Sequence, residues 1–454
     1  MNRDLLKSRL GKFPHLPALA PRDYAAGLNE DEDDEAQEAL DEFPTELPNT
    51  SRSRNVRRGP ESRTRSRSRM DLSPLSAQGY FEQALEVDVP VSNLYASTSH
   101  ANEARTDDEA TAKFRVYWTP PRLTTTDPAA DGDVDGDDDG ASPDDREVLF
   151  VFVHGAGYSG LSFAVLAKRL IEQERDGRGS SEGKRGRVGV LAYDARGHGR
   201  TQVPPSSVDP DEQPSMDLGS LAQDLIDLLR SMFPDRRQAP SLVLVGHSMG
   251  GAVVAEACNR IQGSVADVLG VTVIDVVEGT ALEALGSMSN LIKSQPRTFE
   301  SVEAAIGWHI DSRTINNVES ARISVPPLVK PLRSSSGTSR VMPDSEEEEV
   351  EHEYGWRVDL LKTEPFWRGW FTGLSAKFLG CKTAKLLILA GTDRLDKDLL
   401  IGQMQGKYQL EVFPEAGHCV HEDLPDRTAE TLLEFWERND RVDVLKGVKK
   451  VGEV

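Results

Sequence analysis

Short apolar runs recur along most of the chain and alternate with longer amphipathic segments. Each run is rich in β-branched or aromatic residues, which predicts buried strands. Between two of the runs, residues 216–233 repeat Leu at helical spacing, which predicts an amphipathic helix. Apolar strands separated by helices predict an α/β protein whose mostly parallel central sheet carries helices on both faces. The runs are residues 113–118, 147–153, 187–193, 242–245, 270–274, 385–390 and 408–413.

Polar residues with catalytic potential follow the ends of these predicted strands. In a sheet of this type, functional groups gather at the carboxyl ends of the strands. Residues 276 to about 325 have helical patterns, so we expect a helical insertion after one of the strands. The aromatic-rich segment 364–379 can either pack on the core or line a substrate channel. The residues at strand ends are His154, Ser248, Asp275, Asp393 and His418.

The clearest motif lies in residues 242–256, LVLVGHSMGGAVVAE. A strand, the pattern G-x-S-x-G and a helix follow one another, which is the arrangement of a nucleophile elbow. Gly246 and Gly250 allow the strand and the helix to approach each other closely. The motif therefore predicts Ser248 as a nucleophile, with the amide of Met249 directed at a developing oxyanion.

A serine nucleophile needs a base, and the base needs an acid that orients it. In this architecture the chain order is Ser, then Asp or Glu, then His, which fits Ser248 and His418. Two acids compete for the third role. Asp393 occupies the commoner position and is slightly favoured by pattern alone, while Asp275 occupies a workable one.

The second oxyanion donor is expected in the turn after the strand at residues 147–153. This turn reads His154-Gly155-Ala156-Gly157, and we expect its donor to be the amide of Gly155 or Ala156. His198, in a later glycine-rich turn, is interpreted as a structural loop residue. His421, three residues after His418, is interpreted as a helix-start or salt-linked residue.

Composition narrows the class of protein. The chain has 454 residues and a net charge of -22, which argues against binding to nucleic acids or anionic membranes. No apolar run has the length of a signal peptide core or a membrane span, so we expect a cytoplasmic or nuclear protein. The three cysteines do not form a disulfide framework, and Cys419 is interpreted as a buried small residue. No spacing resembles a zinc site or a phosphate-binding loop, so no metal or cofactor is expected.

Several segments have too little apolar sequence to form a core. We expect residues 1–72, which hold an acidic run and a Ser-Arg-rich run, to be a disordered tail. Residues 73–440 are expected to form the catalytic domain, interrupted by disordered acidic inserts near 122–146 and 331–353. Residues 441–454 are expected to be a flexible tail.

Longer motifs resemble the protein phosphatase methylesterase family over most of residues 73–435. Members of that family have the α/β-hydrolase fold and remove the methyl ester from the C-terminal leucine of the type 2A protein phosphatase catalytic subunit. The resemblance implies the same activity here, with that subunit as partner. The motifs are GHSMGG, IDVVEGTALEALGSMSNLI, RTFESVEAAIGWHI, INNVESAR, WRGWFTGLS and AGTDRLDKDLLIGQMQGKYQLEVFPEAGHCVHED.

The resemblance also assigns the acid. The Asp of the IDVVEGT motif completes the triad in that family, which implies Asp275 here and leaves Asp393 as the alternative. One departure is the oxyanion turn, which tends to read HGGG in the family and reads HGAG here. A backbone donor survives this change if φ of Ala156 is negative.

Two other functions remain open at this point. One is a carboxylesterase for small molecules, which would cleave simple esters without a protein partner. The other is an inactive scaffold that binds the phosphatase, although a scaffold has no need of a Ser, Asp and His set. We expect the protein to be a monomer.

Overall fold

An eight-stranded sheet forms the centre of the computed structural model, with strand order β1-β2-β4-β3-β5-β6-β10-β11. From β4 to β11 every neighbouring pair is parallel, whereas β1 and β2 pair antiparallel at one edge. The predicted mostly parallel sheet is therefore confirmed. The strands are β1 (Gln83–Val91), β2 (Ala110–Thr119), β3 (Val148–Val153), β4 (Val188–Tyr193), β5 (Ser241–His247), β6 (Val268–Ile274), β7 (Thr298–Phe299), β8 (Val329–Pro331), β9 (Tyr354–Trp356), β10 (Ala384–Leu389) and β11 (Gln409–Val412).

Side chains of the central strands alternate between two apolar cores. In β3, Leu149 and Val151 point into one core, and Phe150 and Phe152 point into the other. Every residue of β3, β4 and β5 is buried, because helices cover both faces. The predicted placement of helices on both faces is confirmed.

Eleven α-helices lie in the described part of the chain. α1 and α11 contribute to one core, while α2, α3, α7 and α8 contribute to the other. The helices are α1 (Ala164–Arg175), α2 (Leu218–Met232), α3 (Met249–Ser264), α4 (Glu278–Ser294), α5 (Val302–Asp311), α6 (Val318–Ser324), α7 (Glu364–Phe371), α8 (Leu374–Leu379), α9 (Lys397–Met404), α10 (Val420–Asp423) and α11 (Pro425–Asn439).

The helical insertion follows β6, as predicted, and includes α4, α5 and α6. It also contains a small antiparallel sheet of β7, β9 and β8, which no sequence pattern indicated. A third apolar cluster holds this insertion together, and it includes Phe299, Ile306 and Ile315. Cys419, which follows His418, is fully buried in the same cluster, so the insertion packs directly against the loop that follows β11.

The aromatic-rich segment packs on the core. Trp367 and Trp370 are buried, and both indole N–H groups are satisfied. Trp367 Nε1 donates to Thr363 Oγ1 at 2.8 Å, and Trp370 Nε1 donates to the Met216 carbonyl at 2.6 Å. A buried indole with its hydrogen bond made is a stable part of a core. These two tryptophans therefore anchor α7 to the apolar core.

The structure describes residues 70–91, 94, 110–121, 147–177, 187–206, 212–332, 353–391 and 395–440. The expectations for the acidic and Ser-Arg-rich runs of the N-terminal tail, for the two acidic inserts apart from their edges, and for residues 441–454 lie outside these ranges. Asp393 also lies outside them. Among the helices that the structure does describe, none is long and apolar enough to cross a membrane.

Candidate active site

Ser248 lies between the end of β5 and the start of α3, with φ of +52° and ψ of −119°. A positive φ is costly for a residue other than glycine, and such strain is concentrated at functional sites. The turn is tight because a Cβ at Gly246 would collide with the backbone of Gly250, and a Cβ at Gly250 would collide with the Val153 carbonyl. The sequence thus forms the predicted elbow, which presents Ser248 at the carboxyl end of the sheet.

Asp275 follows β6, the strand next to the nucleophile strand, and also has a positive φ of +51°. Its amide donates to the Ile388 carbonyl at 2.7 Å, and its Oδ1 accepts the Ala390 amide at 2.7 Å. Ile388 belongs to β10, and Ala390 directly follows it. The carboxylate is thereby held in one orientation, with Oδ2 left to meet the histidine.

His418 is the histidine that reaches this carboxylate. Its Nδ1 lies 2.7 Å from Asp275 Oδ2, and the two residues are 143 positions apart in the chain. The Asp275 side chain is 9% exposed, whereas that of His418 is 53% exposed. With Nδ1 donating to the carboxylate, Nε2 of the neutral ring is the atom that can accept a proton.

His418 belongs to a loop of residues 413–419 after β11, which we call the base loop. This loop lies against the elbow, because His247 Nε2 is 2.9 Å from the His418 carbonyl and the two rings are 4.7 Å apart. His247 directly precedes Ser248. The structure thus brings the elbow, Asp275 and His418 together at the carboxyl end of the sheet.

Residues 154–157, which we call the oxyanion turn after their expected role, lie beside Ser248. A Cβ placed on Gly155 would be 3.3 Å from the Ser248 Cβ. The Gly157 amide donates to His198 Nε2 at 2.9 Å, so it is committed elsewhere. Ala156 lies outside the positive-φ region, as the survival of its donor requires. The amides of Gly155 and Ala156 are therefore the candidates in this turn, together with that of Met249.

Two buried histidines hold the oxyanion turn against the turn that follows β4. His198 accepts the Gly157 amide, and His154 Nε2 accepts the Ala195 amide at 3.0 Å. Each ring thus accepts from the turn that carries the other ring. Burial lowers the pKa of His154 to about 3 and that of His198 to about 4, so both accept hydrogen bonds as neutral rings at neutral pH.

The turn that carries His198 is itself anchored by a buried ion pair. The Arg196 guanidinium donates two hydrogen bonds to the Asp224 carboxylate in α2. Its Nε lies 2.6 Å from one oxygen, and a terminal nitrogen lies 2.5 Å from the other. Neither side chain has appreciable exposure. The interpretation of His198 as a loop residue did not include its contact with the oxyanion turn. The sequence signal for that contact is only the recurrence of His-Gly in both turns.

The helix α10 after the base loop carries three buried ionisable residues, His421, Glu422 and Asp423. His421 lies in this short helix, and its ring stacks on Phe163 at 4.3 Å between centroids. Neither of its ring nitrogens has a hydrogen-bond partner among the described residues, so the proposed salt link is wrong and only the helix position is confirmed. Burial lowers the pKa of His421 to about 3 and raises that of Glu422 to about 8.

Cys419 is fully buried, as interpreted from the sequence, and its Sγ lies 3.1 Å from the Tyr158 hydroxyl. Burial raises the pKa of the Cys419 thiol well above its usual value, so it is not a thiolate at neutral pH. Within the ranges that the structure describes, no group of three or more His, Cys, Asp or Glu side chains is arranged to hold a metal ion.

The strand order, the elbow and the Asp–His contact define an α/β hydrolase, and the model of the Alpha/beta hydrolase family matches residues 150–431. Within that class, the chain belongs to the protein phosphatase methylesterase family. A relative in Cryptococcus neoformans var. neoformans serotype D, named protein phosphatase methylesterase 1, is 40% identical over 97% of this chain and 93% of its own.

Two further relatives carry the same name. The one in Yarrowia lipolytica is 45% identical over 66% of this chain and 68% of its own. The one in Aspergillus fumigatus is 36% identical over 97% of this chain and 89% of its own. Among solved structures, E-2-(acetamidomethylene)succinate hydrolase is 18% identical, with a TM-score of 0.49 over 78% of this chain and 99% of that chain.

Proposed function

We propose that this protein is a serine esterase that removes the methyl ester from the C-terminal leucine of the type 2A protein phosphatase catalytic subunit. The observation that carries the chemistry is the 2.7 Å contact between His418 Nδ1 and Asp275 Oδ2 beside the Ser248 elbow. The family name of the relatives supports the substrate. In this proposal the protein acts as a monomer and needs no cofactor.

In the first step, Ser248 Oγ attacks the ester carbonyl while His418 Nε2 accepts its proton. The carbonyl oxygen becomes an oxyanion, which accepts hydrogen bonds from the Met249 amide and from Gly155 or Ala156. Removing one such donor costs about 2.7–4 kcal/mol in comparable enzymes. The tetrahedral intermediate then collapses, His418 gives its proton to the departing methoxide, and methanol leaves an acyl-enzyme on Ser248.

In the second step, water attacks the acyl-enzyme and gives its proton to His418. The ester bond to Ser248 breaks, and the proton returns to Ser248 Oγ as the free leucine carboxylate leaves. Asp275 holds the His418 ring with Nδ1 protonated throughout and stabilises the imidazolium that forms in each step.

The elbow geometry favours catalysis over the scaffold function. Holding Ser248 and Asp275 at positive φ costs about 1–3 kcal/mol each, and a protein that only binds the phosphatase has no use for that cost. The general carboxylesterase remains the second candidate, and it differs from the proposed function in substrate rather than in mechanism.

The test uses methylated phosphatase catalytic subunit as substrate and follows loss of the C-terminal methyl ester. The enzymes are wild type, Ser248→Ala, and Ser264→Ala at the opposite end of α3 as the matched control. We expect wild type and Ser264→Ala to remove the methyl group and Ser248→Ala to leave it. An intact methyl ester after incubation with wild type, alongside rapid cleavage of a simple ester, would instead support the general carboxylesterase.

A further inference from the structure

Asp423, the last residue of α10, accepts three hydrogen bonds from N–H groups. The Gly417 amide lies 2.7 Å from its Oδ2, the Asn316 side-chain nitrogen 2.6 Å from the same oxygen, and the Asn316 amide 2.7 Å from its Oδ1. The residue is only 9% exposed. Hydrogen bonds to a carboxylate are stronger than those between neutral groups, so this is a strong local restraint.

The three donors come from two different parts of the chain. Gly417 directly precedes His418 in the base loop. Asn316 belongs to the insertion, between α5 and α6. Asp423 therefore ties the base loop to the insertion through a single carboxylate. A second link runs parallel to it, because Ser320 Oγ in α6 donates to the Glu422 carbonyl at 2.8 Å.

Packing alone does not hold the His418 ring, since about half of that side chain is exposed. Its position depends on the hydrogen bond to Asp275 and on the backbone that carries it. On one side of that backbone, the His418 carbonyl lies 2.9 Å from His247 Nε2. On the other side, the Gly417 amide is held by Asp423. The loop is thus restrained immediately before and at the histidine.

We propose that Asp423 is a positioning residue for His418, which keeps the base aligned with Asp275 and Ser248 by fixing Gly417 to the insertion. This role rests on the proposed function, in which His418 is the base. The insertion then acts as the support of the base loop, in addition to any contact it makes with substrate. Neither Asp423 nor Asn316 touches the reacting atoms in this account.

The main test replaces Asp423 with Asn. Both oxygens of Asp423 accept N–H groups, so an amide nitrogen at either position faces a donor and loses a bond. A displacement of about 1 Å at a catalytic group costs about 10²-fold in rate, so we expect kcat to fall by about that factor with KM nearly unchanged. The proton NMR resonance of the His418 Nδ1–Asp275 hydrogen bond should broaden or shift as well.

Asn316→Ala provides a second variant in case Asp423→Asn fails to fold. It removes the side-chain donor but keeps the Asn316 amide, so we expect a smaller loss of kcat, about tenfold. Asp426→Asn is the matched control, since Asp426 lies three residues further along and makes an exposed ion pair with Arg169. We expect Asp426→Asn to keep wild-type kcat and the wild-type NMR resonance.

Covalent labelling of Ser248 by a fluorophosphonate separates this proposal from the proposed substrate, because labelling needs the aligned base but no phosphatase. If wild type is labelled quickly but removes no methyl ester, slower labelling of Asp423→Asn would still support the positioning role. Folded Asp423→Asn and Asn316→Ala with wild-type kcat, labelling rate and NMR resonance would overturn it. A loss of activity that is fully explained by a smaller fraction of folded protein would overturn it too.

Discussion

The two sides of the active site are held in place by different means. Ser248 and the oxyanion turn follow β5 and β3, neighbouring strands in the middle of the sheet in which every residue is buried. His418 lies on the base loop after β11, an edge strand whose residues are only partly buried. Ser248, the proposed nucleophile, is therefore fixed by the core of the fold, whereas His418, the proposed base, depends on a few hydrogen bonds to distant residues. Substitutions that disturb the packing of the elbow should therefore lower stability, and substitutions that loosen the base loop should lower kcat.

The largest loss of kcat is expected from a change of Asp275, whose contact with His418 connects the two sides of the active site. Asp275→Asn should lower kcat by about 10⁴-fold, because an amide no longer selects the ring with Nδ1 protonated. The structure should be kept, since an amide oxygen can still accept the Ala390 amide. Steady-state kinetics on the methylated subunit measures the effect.

Asp267→Asn is the control for that variant, because Asp267 directly precedes the other end of β6 and makes an exposed ion pair with Arg236. It should have wild-type kcat. Near-normal turnover by Asp275→Asn, together with an inactive Asp393→Asn, would show that Asp393 is the acid instead.

The second prediction concerns a substitution in the nucleophile elbow that should destabilise the fold. Gly250→Ala places a methyl group against the Val153 carbonyl, which should lower the free energy of unfolding by about 3 kcal/mol or more. Gly263→Ala, in the same helix, meets no atom within 4 Å and should raise it by about 0.4–1 kcal/mol. Urea denaturation of both variants gives the values. Equal stability of the two variants would show that the elbow is not closely packed.

The nucleophile elbow and the sheet could be predicted from sequence because both are local patterns. Apolar runs mark strands, and GHSMGG marks a turn whose glycines are needed for close packing. The acid could not be chosen by pattern, because Asp275 and Asp393 both follow strands. The contact between Asp275 and His418 joins residues 143 positions apart, which only the order of strands in the sheet determines.

Residues that support the site were harder to recognise. The contacts of Asp423 with Asn316 span 107 positions and depend on how the insertion packs, which no local period describes. His154 and His198 support each other's turns through hydrogen bonds that each span 41 positions. Hydrogen bonds of this kind follow from tertiary packing, so a single sequence contains no regular signal for them.

The third prediction concerns a substitution that weakens the support of the oxyanion turn but changes none of the candidate donor amides. His198→Phe removes the acceptor for the Gly157 amide and should lower kcat by up to about 10²-fold, while His198→Gln should recover part of it by supplying an oxygen. KM should change little, because the oxyanion is absent from the bound substrate and forms only in the transition state and the tetrahedral intermediate. Affinity for a boronate analogue of that state should fall in parallel with kcat.

The control for His198→Phe is His309→Phe. His309 is another buried histidine, whose Nδ1 lies 2.8 Å from a helix carbonyl in the insertion. The His309→Phe variant should be less stable than wild type, without a change in kcat comparable to that of His198→Phe. If both variants lower kcat equally, the effect of His198 is one of general stability.

The last prediction is a pH dependence of stability. Burial lowers the pKa from 6.5 to about 3 in His154 and His421, and to about 4 in His198 and His309. Below pH 6.5 the unfolded chain binds protons that these folded rings do not. The free energy of unfolding should therefore rise with pH between about 4 and 6.5, by about 1.4 kcal/mol per pH unit for each ring.

The buried acids Asp194 and Glu422 change the stability with pH in the opposite direction. Burial raises the pKa of Asp194 to about 6 and that of Glu422 to about 8, so the folded state keeps protons that the unfolded state loses. These four histidines outweigh these two acids below pH 6.5, and Glu422 lowers stability from there to about pH 8. Urea denaturation across this range should show a maximum near pH 6.5, and a stability that falls steadily from pH 4 to 6.5 would contradict these assignments.

The most direct measurement follows oxygen atoms during removal of the methyl group. Methylated phosphatase catalytic subunit is incubated with excess enzyme in oxygen-18-labelled water, for a single turnover, and both products are examined by mass spectrometry. Attack by Ser248 on the carbonyl, followed by water, predicts unlabelled methanol and a label in the leucine carboxylate, with no products from Ser248→Ala. Labelled methanol, or equal turnover by Ser248→Ala, would contradict acyl transfer through Ser248.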